Sequence, residues 1–486
     1  MKKTTLISVL SALPFILSCT EKQVEAPAAL YPIPAEKQVE WQKMETYAFI
    51  HFGLNTFNDR EWGYGDSDPK TFNPGKLDCE QWVKTFVRAG MKGVILTAKH
   101  HDGFCLWPFE GTEYSVKNTP WKGGKGNVVK ELSDACRKYG LKFGVYLSPW
   151  DRNHAAYGTP EYIKYYRAQL CDLLTNYGDI FEVWFDGANG GDGWYGGAKE
   201  TRTIDRENYY NYPSLYALVD SLQPGAIIFS DGGPGCRWVG NERGIGGMTN
   251  WSFLRKGEVY AGYPRAYELE SGHADGDQWT AAECDVSIRP GWFYHPEEDG
   301  MVKTPEQLLD LYYKSVGRNG TFLLNFPVDR DGLIHPVDSA NAAKFHDMVC
   351  NDFKTDLVSG IVPKVSNERG GAFTASALTD DDYDTYWATQ DSVISAEIEF
   401  NFSEPTQMNR LMLQEYIPLG QRVKAFSVEY KQGEEWLPIK TEEQTTTIGY
   451  KRLLRFDTVK TDALRIRITD ARGPLCLNRI GLFFAE

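Results

Sequence analysis

Residues 180–187 read Ile-Phe-Glu-Val-Trp-Phe-Asp-Gly, a short apolar run that ends in a carboxylate and a glycine. Large β-forming side chains in such a run predict a buried strand. In α/β barrels the chemistry lies at the carboxyl ends of the strands, so the position of Asp186 predicts a catalytic carboxylate. An Asp-Gly pair is also a common turn, and from this stretch alone both interpretations stay open.

The pattern around this strand predicts the architecture. From residue 47 to about residue 353, short apolar segments alternate with amphipathic helical ones, which is typical of a parallel sheet. Besides 180–185, the predicted strands are 47–52, 93–98, 142–147, 226–230 and 321–326, with weaker ones at 246–251 and 279–286. This number of units exceeds a small open sheet and favours a (β/α)8-like catalytic barrel over residues 36–353.

Beyond about residue 355 the pattern changes to simple alternation. Ala396, Ile398 and Phe400 alternate with Glu397 and Glu399, as in strands that are buried on one face only. Several such strands separated by turns predict an all-β sandwich over residues 354–486.

The first residues predict export. Met-Lys-Lys precedes an apolar stretch from residue 6 to residue 17, which is shorter than the roughly 20 residues of a membrane span. Ile16-Leu17-Ser18-Cys19 resembles a bacterial lipobox, so we predict a signal peptide over 1–18 and lipidation of Cys19. The protein would then be lipid-anchored in the bacterial cell envelope, with residues 19–35 as a flexible tether.

Composition narrows the function. The 52 basic and 66 acidic residues argue against a nucleic-acid partner. The cysteines after Cys19 are scattered without C-x-x-C spacing, so no zinc cluster is predicted.

Four clusters of polar and aromatic residues follow predicted barrel strands and would converge on one mouth. They are His51-Phe52-Gly53 with Glu61-Trp62-Gly63, then Lys99 to Phe104, Tyr146 to Asp151, and Trp184 to Gly187. Imidazoles and carboxylates bind sugar hydroxyls, and aromatic faces cover the apolar C–H patches. A zinc site at His100 and His101 is the alternative, but neighbouring residues of an extended chain point in opposite directions.

Cleavage of a glycosidic bond needs two carboxylates, and Asp186 supplies one. The candidates for the second lie in or near predicted rim loops: Asp102, Asp151, Asp231, Glu242, Glu283 and Asp285. Position favours Asp231, which ends the fifth predicted strand, but spacing leaves the choice open.

Together, the His-Phe-Gly, Glu-Trp-Gly, Ala98 to Phe104 and Val183 to Gly187 motifs resemble the glycoside hydrolase family 29 α-L-fucosidases over residues 40–350. The resemblance implies that Asp186 is the nucleophile of a retaining double displacement that needs no metal or organic cofactor. It also implies a set of fucose-binding residues: His51, Glu61, Trp62, His100, His101, Tyr146 and Trp184.

The stretch Arg237-Trp238-Val239-Gly240-Asn241-Glu242 resembles the branch of this family that acts on α-1,3 and α-1,4 linkages of Lewis-type glycans. In that branch the Glu is the acid/base, so we expect this role for Glu242, with Asp231 as the alternative and with Arg237 and Trp238 in substrate binding. Trp292 resembles an aromatic residue that packs on the methyl face of the sugar, and a core Trp is the alternative.

The C-terminal segment resembles discoidin-like (factor 5/8 type C) modules, with residues 378–387 as the cue. Asp380 and Asp382 could hold a structural calcium ion or simply form a solvated loop. Glycan binding by this module and a purely structural role stay open.

The expected partners are fucosylated oligosaccharides or glycoconjugates, with membrane contact only through the lipid. Three alternatives remain to be separated by experiment: a fucosidase of broad or α-1,2/1,6 specificity, an inactive lipid-anchored glycan-binding protein, and a metal-dependent barrel hydrolase.

Overall fold

The computed structural model describes residues 24–485. The predicted signal peptide, Cys19 and the first part of the predicted tether lie outside the described residues. No helix within the described range is both long and apolar enough to cross a bilayer.

Eight parallel strands close into a barrel, as predicted. They are β1 (Thr46–Ile50), β2 (Gly93–Lys99), β3 (Lys142–Leu147), β4 (Ile180–Trp184), β5 (Ile227–Ser230), β6 (Cys236–Trp238), β7 (Ala281–Ser287) and β8 (Gly320–Asn325). The ring closes where β8 pairs with β1, with Thr46 opposite Phe322.

Eight α-helices accompany the barrel in the described chain: α1 (Glu36–Gln42), α2 (Leu54–Asn58), α3 (Cys79–Arg88), α4 (Val128–Tyr139), α5 (Pro160–Asn176), α6 (Tyr212–Leu222), α7 (Pro305–Ser315) and α8 (Pro336–Asp352). Their ends follow local chemistry. Asp78 begins α3 by accepting hydrogen bonds from the backbone N–H groups of Glu80 and Gln81. Gly140, in the left-handed region at φ 73°, ends α4, and β3 begins two residues later at Lys142.

The sixth strand is not where the sequence pattern placed it. The prediction of a strand at 246–251 is wrong, because β6 is the three-residue segment Cys236–Trp238. Trp251 is buried, as its apolar character suggests, but it packs in a cluster with Phe253, Trp279 and Ile417 outside the barrel. The weak strand predicted at 279–286 is confirmed as β7, two residues later at its start.

The C-terminal domain is an antiparallel β-sandwich, as predicted. Its strands are β9 (Lys364–Val365), β10 (Trp387–Ala388), β11 (Ala396–Glu415), β12 (Val423–Gln432), β13 (Glu435–Pro438), β14 (Arg452–Ala471) and β15 (Cys476–Phe483). The two longest, β11 and β14, pair along most of their length with register shifts, and such irregularities let long strands bend. Ile398, Phe400 and Leu413 of β11 join a separate hydrophobic core.

The two domains share a polar, buried interface. Arg318, just before β8, donates through Nε and Nη2 to both oxygens of Glu443 at 2.8 Å, with side chains that are only 6% and 7% exposed. The Asn319 side chain accepts a hydrogen bond from the backbone N–H of Tyr450 at 2.7 Å. The barrel and the sandwich are therefore held together by specific hydrogen bonds rather than by apolar contact alone.

The described part of the predicted tether, residues 24–35, lies against the C-terminal domain. The backbone N–H of Leu30 donates to the carbonyl of Leu419 at 2.9 Å. Arg422 donates to the carbonyl of Ala28 at 2.7 Å. In contrast to a free linker, this portion is part of the folded body, because arginines of the sandwich satisfy its carbonyl groups.

The interface ion pair predicts a stability effect. In Glu443→Gln the Arg318 guanidinium stays buried without its counter-charge, and we expect a loss of about 3–5 kcal/mol, since breaking one side of a buried pair leaves an uncompensated charge. The measurement is the thermal and urea unfolding midpoint. The control is Asp347→Asn, whose pair with Arg88 is 52% and 57% exposed, where we expect a change within about 0.5 kcal/mol. Equal midpoints for the two variants would contradict the proposed contribution of the Arg318–Glu443 pair to stability.

Candidate active site

A cavity of about 420 Å³ opens at the carboxyl ends of the barrel strands. Of the twelve residues to which the sequence assigns a catalytic or substrate-binding role, its walls contain ten: His51, Trp62, His100, His101, Tyr146, Trp184, Asp186, Trp238, Glu242 and Trp292. The remaining two, Glu61 and Arg237, do not line it. The barrel therefore brings together motifs that are separated by up to 241 residues in the sequence, from His51 to Trp292.

Asp186 lies two residues after the end of β4, and its carboxylate is held at both oxygens. Oδ2 accepts a hydrogen bond from the Tyr146 hydroxyl at 2.8 Å, and Oδ1 accepts one from the backbone N–H of Ala188 at 2.7 Å. Burial raises the pKa of Asp186, and these two hydrogen bonds oppose that shift. The next residue is glycine, and a Cβ at Gly187 would lie 2.7 Å from each carboxylate oxygen of Asp231, so a larger residue there would have to displace that carboxylate.

Glu242 lies on the loop after β6 and contacts one aromatic wall of the cavity. The indole N–H of Trp292 donates to its Oε2 at 3.2 Å. Burial raises the pKa of Glu242, and the charges of Asp186 and Glu61 raise it further, whereas the Trp292 hydrogen bond lowers it. A carboxyl group with a raised pKa keeps its proton to higher pH, which is what a general acid requires.

Trp184 forms the floor of the cavity. Its ring stacks on Phe229 with centroids 3.7 Å apart and on Tyr146 at 5.4 Å. Its indole N–H donates to Oε1 of Glu283 at 2.6 Å, so that Glu283 lies below the floor and not in the cavity. Because β-strand side chains alternate, Trp184 and Asp186 share the face that points into the barrel.

Three buried imidazoles line one side of the cavity. Burial lowers the pKa of His51 and of His101 to about 3 and lowers that of His100 well below its usual value, so all three are neutral at physiological pH. His101 Nδ1 contacts the Ser148 hydroxyl at 2.8 Å, and this hydroxyl donates to the carbonyl of Trp150. Nδ1 of His101 is therefore the donor, and its Nε2, which lies 3.7 Å from Oδ2 of Asp186, is a hydrogen-bond acceptor.

The predicted binding role of Arg237 is wrong. Its side chain is fully buried and donates to the carbonyl groups of Leu269 and Thr280 and, at 2.7 Å, to Oδ1 of Asn250. The alternation along β6 explains the difference. Trp238 faces the cavity and donates to Asp285 at 2.9 Å, so its neighbour Arg237 must face away.

The structure places Glu61 behind the cavity wall and not in its lining. Its two oxygens accept the backbone N–H groups of Trp292 and Phe293 at 2.9 and 3.0 Å. Its Oε1 also contacts His295 Nε2 at 2.7 Å. In this structure Glu61 orients the loop that carries Trp292, whereas the sequence motif predicted a direct sugar contact.

Of the other carboxylates considered for the acid/base role, Asp231 and Asp285 line the cavity. Burial raises the pKa of Asp231 to about 7, and its Oδ2 accepts the backbone N–H of Gly262 at 2.8 Å. Asp285 is buried beside Glu242, and burial raises its pKa strongly. Asp102 and Asp151 are buried outside the cavity lining, and Asp151 pairs there with Lys99 at 3.2 Å.

Arg206, Tyr263 and His295 belong to none of the sequence motifs described above. Arg206 and Tyr263 line the cavity and belong to the two long irregular connections, after β4 and between β6 and β7. Neither connection carries a periodic pattern, so no sequence signal distinguishes these residues from other loop residues. His295 follows Trp292 by three residues, and proximity to that motif was the only available cue.

Three groups of potential metal-ligand atoms lie close together within the described chain: Asp59, His295 and Glu297; Glu182, Cys236 and Glu283; and Glu258, Glu268 and His273. None of these residues lines the cavity. Asp380 and Asp382 belong to none of the groups, and their carboxylates accept hydrogen bonds from the backbone N–H groups of Asp382 and Asp384 in the same loop. Structural calcium at that loop stays a prediction.

A cavity with an aromatic floor, neutral imidazoles and four carboxyl groups, Asp186 and Glu242 among them, at the carboxyl end of a closed barrel, defines a glycoside hydrolase. Comparisons with known proteins agree. A family model described as "Alpha-L-fucosidase" matches residues 28–347, and one described as "F5/8 type C domain" matches residues 363–480.

The relatives include α-L-fucosidase 1 of Arabidopsis thaliana, which is 40% identical over 94% of this chain and 88% of its own length. A crystal structure of a glycoside hydrolase family 29 member from an unknown rumen bacterium is 48% identical, covers 95% of this chain and 78% of its own, and superimposes with a TM-score of 0.84. A family 29 fucosidase of Ruminococcus gnavus in complex with fucose is 32% identical over 95% of this chain and 97% of its own, with a TM-score of 0.83. The chain belongs to the α-L-fucosidase family of glycoside hydrolases.

Proposed function

We propose that the protein is a retaining exo-α-L-fucosidase in which Asp186 is the nucleophile and Glu242 is the acid/base. The observation that carries the proposal is that one cavity holds both groups in different hydrogen-bond environments, although burial raises the pKa of each. Asp186 is held as an acceptor by Tyr146 and Ala188, whereas the pKa of Glu242 is raised by burial and by the Asp186 charge. A retaining mechanism needs such a pair about 5–5.5 Å apart.

In the first step Asp186 attacks the anomeric carbon of fucose while the glycosidic C–O bond breaks and Glu242 gives its proton to the departing oxygen. In the second step Glu242 takes a proton from water, the water oxygen bonds to the anomeric carbon, and the bond to Asp186 breaks. Tyr146 donates to Asp186 in the resting site, and this bond helps to orient the attacking oxygen. Two inversions at one carbon give net retention.

The neutral imidazoles of His51, His100 and His101 are proposed to bind the fucose hydroxyl groups. A neutral imidazole both donates and accepts, so each can fix the direction of a hydroxyl proton. The Trp184 ring would cover an apolar C–H face, and Trp292 would pack on the fucose methyl group.

For the linkage we propose terminal α-1,3- and α-1,4-linked fucose on branched, Lewis-type glycans. The support is the Arg237 to Glu242 motif and the wall beyond Glu242, where Trp238, Tyr263 and Pro264 line the cavity. Trp238 and Tyr263 offer aromatic faces to the sugars that flank the fucose of a branched glycan. A broad or α-1,2/1,6 specificity is the alternative.

We also propose that the chain is exported and lipidated at Cys19 in the bacterial envelope. The support is the Met-Lys-Lys start, the apolar stretch and the Ile16-Leu17-Ser18-Cys19 sequence. Mass spectrometry of the mature protein from the native host should give an N-terminal peptide that begins at a lipidated Cys19. An N-terminal peptide that retains residues 1–18 would contradict the proposal.

Azide rescue separates the roles of the two carboxylates. Asp186→Ala should lower kcat on an aryl α-L-fucoside by about 10⁴-fold or more, as for other nucleophile deletions. Azide should restore turnover and yield β-L-fucosyl azide, because one displacement inverts the anomeric carbon. Glu242→Ala should keep the first step on this activated substrate, and azide should then give the α-azide.

The product anomers, read by NMR, are the measurement. Asp231→Asn is the matched control, because Asp231 lines the same cavity and is the alternative acid/base. If Asp231→Asn gives the α-azide and Glu242→Ala does not, Asp231 takes the acid/base role and the assignment of Glu242 is wrong.

Linkage preference is checked by measuring fucose release from three substrates: a Lewis-type trisaccharide, a 2′-fucosylated lactose and an aryl fucoside. We expect kcat/KM on the trisaccharide to exceed that on the lactose derivative by about tenfold or more, which corresponds to the loss of one or two subsite contacts. A preference for the α-1,2 substrate would favour the alternative specificity.

A further inference from the structure

His295 lies between two carboxylates at the rim of the barrel and outside the cavity lining. The side chain of this buried residue contacts Asp59 Oδ1 through Nδ1 at 2.8 Å and Glu61 Oε1 through Nε2 at 2.7 Å. An ionised carboxylate only accepts hydrogen bonds. Both ring nitrogens must therefore donate, and His295 satisfies both neighbours only as an imidazolium.

Glu61 transmits this arrangement to the loop after β7. The same carboxylate accepts the backbone N–H groups of two consecutive residues, Trp292 and Phe293, at 2.9 and 3.0 Å. The loop passes very close, because a Cβ at Gly291 would lie 2.6 Å from Glu61 Oε1. Two adjacent N–H groups on one anion fix the orientation of the peptide between them.

Trp292 links this loop to the catalytic groups. Its indole N–H donates to Glu242 Oε2 at 3.2 Å, and its ring lies 5.0 Å from that of His51. Its carbonyl accepts a hydrogen bond from Asn325 at 2.9 Å, and Asn325 also contacts His51. A shift of the Trp292 backbone would therefore move the hydrogen-bond donor of Glu242.

We propose that protonated His295 is a positioning residue for the acid/base: together with Asp59 and Glu61 it fixes the Trp292 loop, and Trp292 in turn orients Glu242. The inference rests on the proposed role of Glu242. It adds a requirement for activity, since the proton on His295 becomes part of the active arrangement although His295 does not line the cavity.

Acidic groups surround His295 on each packed segment. Asp59 and Glu61 come from the loop after α2, and Glu297 and Glu298 from the turn that follows His295 itself. Arg330, from the turn after β8, lies 3.9 Å from Asp59 and weakens its effect on His295.

Burial lowers the pKa of His295, but the two carboxylate contacts outweigh it and leave that pKa raised. The imidazolium is fully present below the ordinary histidine pKa and is lost as the pH rises through the raised value. The alkaline limb of the rate profile should then report His295 as well as Glu242.

The test uses Asp59→Asn. Asp59 has φ 56°, a left-handed conformation that asparagine tolerates, and its side chain is 45% exposed, so the variant should fold. The amide oxygen still accepts from Nδ1, but one of the two charges that retain the proton is gone. We expect kcat/KM at acid pH within about twofold of the wild type and an alkaline limb lower by about one pH unit, the shift expected for removal of one close opposite charge.

Asp347→Asn, an equally conservative change at an exposed pair, is the control and should leave the pH profile unchanged. Titration of the His295 ring by NMR, with the signal assigned by its loss in His295→Gln, should show the same downward shift in Asp59→Asn. An unmoved alkaline limb in Asp59→Asn, with the His295 pKa lowered, would overturn the proposal.

His295→Gln separates positioning from a general loss of structure. If His295 acts through Glu242, kcat should fall about tenfold on a fucosyl oligosaccharide, whose leaving group needs a proton, and less than about twofold on an activated aryl fucoside, with KM unchanged. Equal losses on both substrates would overturn the proposal. Glu242→Gln, assayed in parallel, tests the proposed function separately: if it shows no dependence on the leaving group, the acid/base assignment fails.

Discussion

The closed hydrogen-bond ladder of the barrel determines which side chains can reach the substrate. Once β8 pairs with β1, each strand has an inner and an outer face, and the period of two assigns every residue to one of them. Trp184 and Asp186 extend from β4 on the inner face, and Glu283 and Asp285 do so on β7. The floor of the cavity, the proposed nucleophile and two further acids therefore follow from one register.

This register also places two carboxyl groups beneath the floor of the cavity. Glu182 and Glu283 are fully buried in the barrel, and burial together with the charge of Glu283 raises the pKa of Glu182 strongly. Two buried carboxylates in contact cannot both ionise at low cost, so the pair retains a proton. Its oxygens accept hydrogen bonds from Trp41, Trp184 and Tyr47, so the polar core also fixes the angle of the cavity floor.

Long periodic segments and strand-end motifs could be predicted from the sequence, and short or aperiodic ones could not. The segment from 180 to 187 gave both its strand and the place of Asp186, because five buried residues precede the acid. Cys236–Trp238 is too short to show any period, so nothing in the pattern corrects the binding role that the motif resemblance implies for Arg237, the middle residue of this strand, which faces away from the cavity. The motif that contains Glu61 predicted a direct sugar contact, but a motif indicates only proximity to a site and not the direction of a side chain.

The C-terminal domain also supports the loops around the cavity, through its hydrogen bonds to Asn250 in the connection between β6 and β7. This fully buried residue accepts from Arg237 through its side chain and donates from it to the carbonyl of Arg318 at 2.7 Å. Its backbone donates to Thr447 at 2.9 Å and accepts from Gln421 at 3.0 Å, both in the sandwich.

The connection between β6 and β7, which carries Glu242 near its start, is thus bonded to the sandwich at Asn250. A barrel strand of three residues makes few ladder hydrogen bonds of its own. The long connection after it contains short elements: a 3-10 helix (Ala266–Glu270) and a two-stranded antiparallel sheet (Phe253–Leu254 with Gln278–Trp279). The sandwich adds to their support. The C-terminal sandwich therefore has a structural role through its contacts with Asn250, whether or not the sandwich also binds glycan.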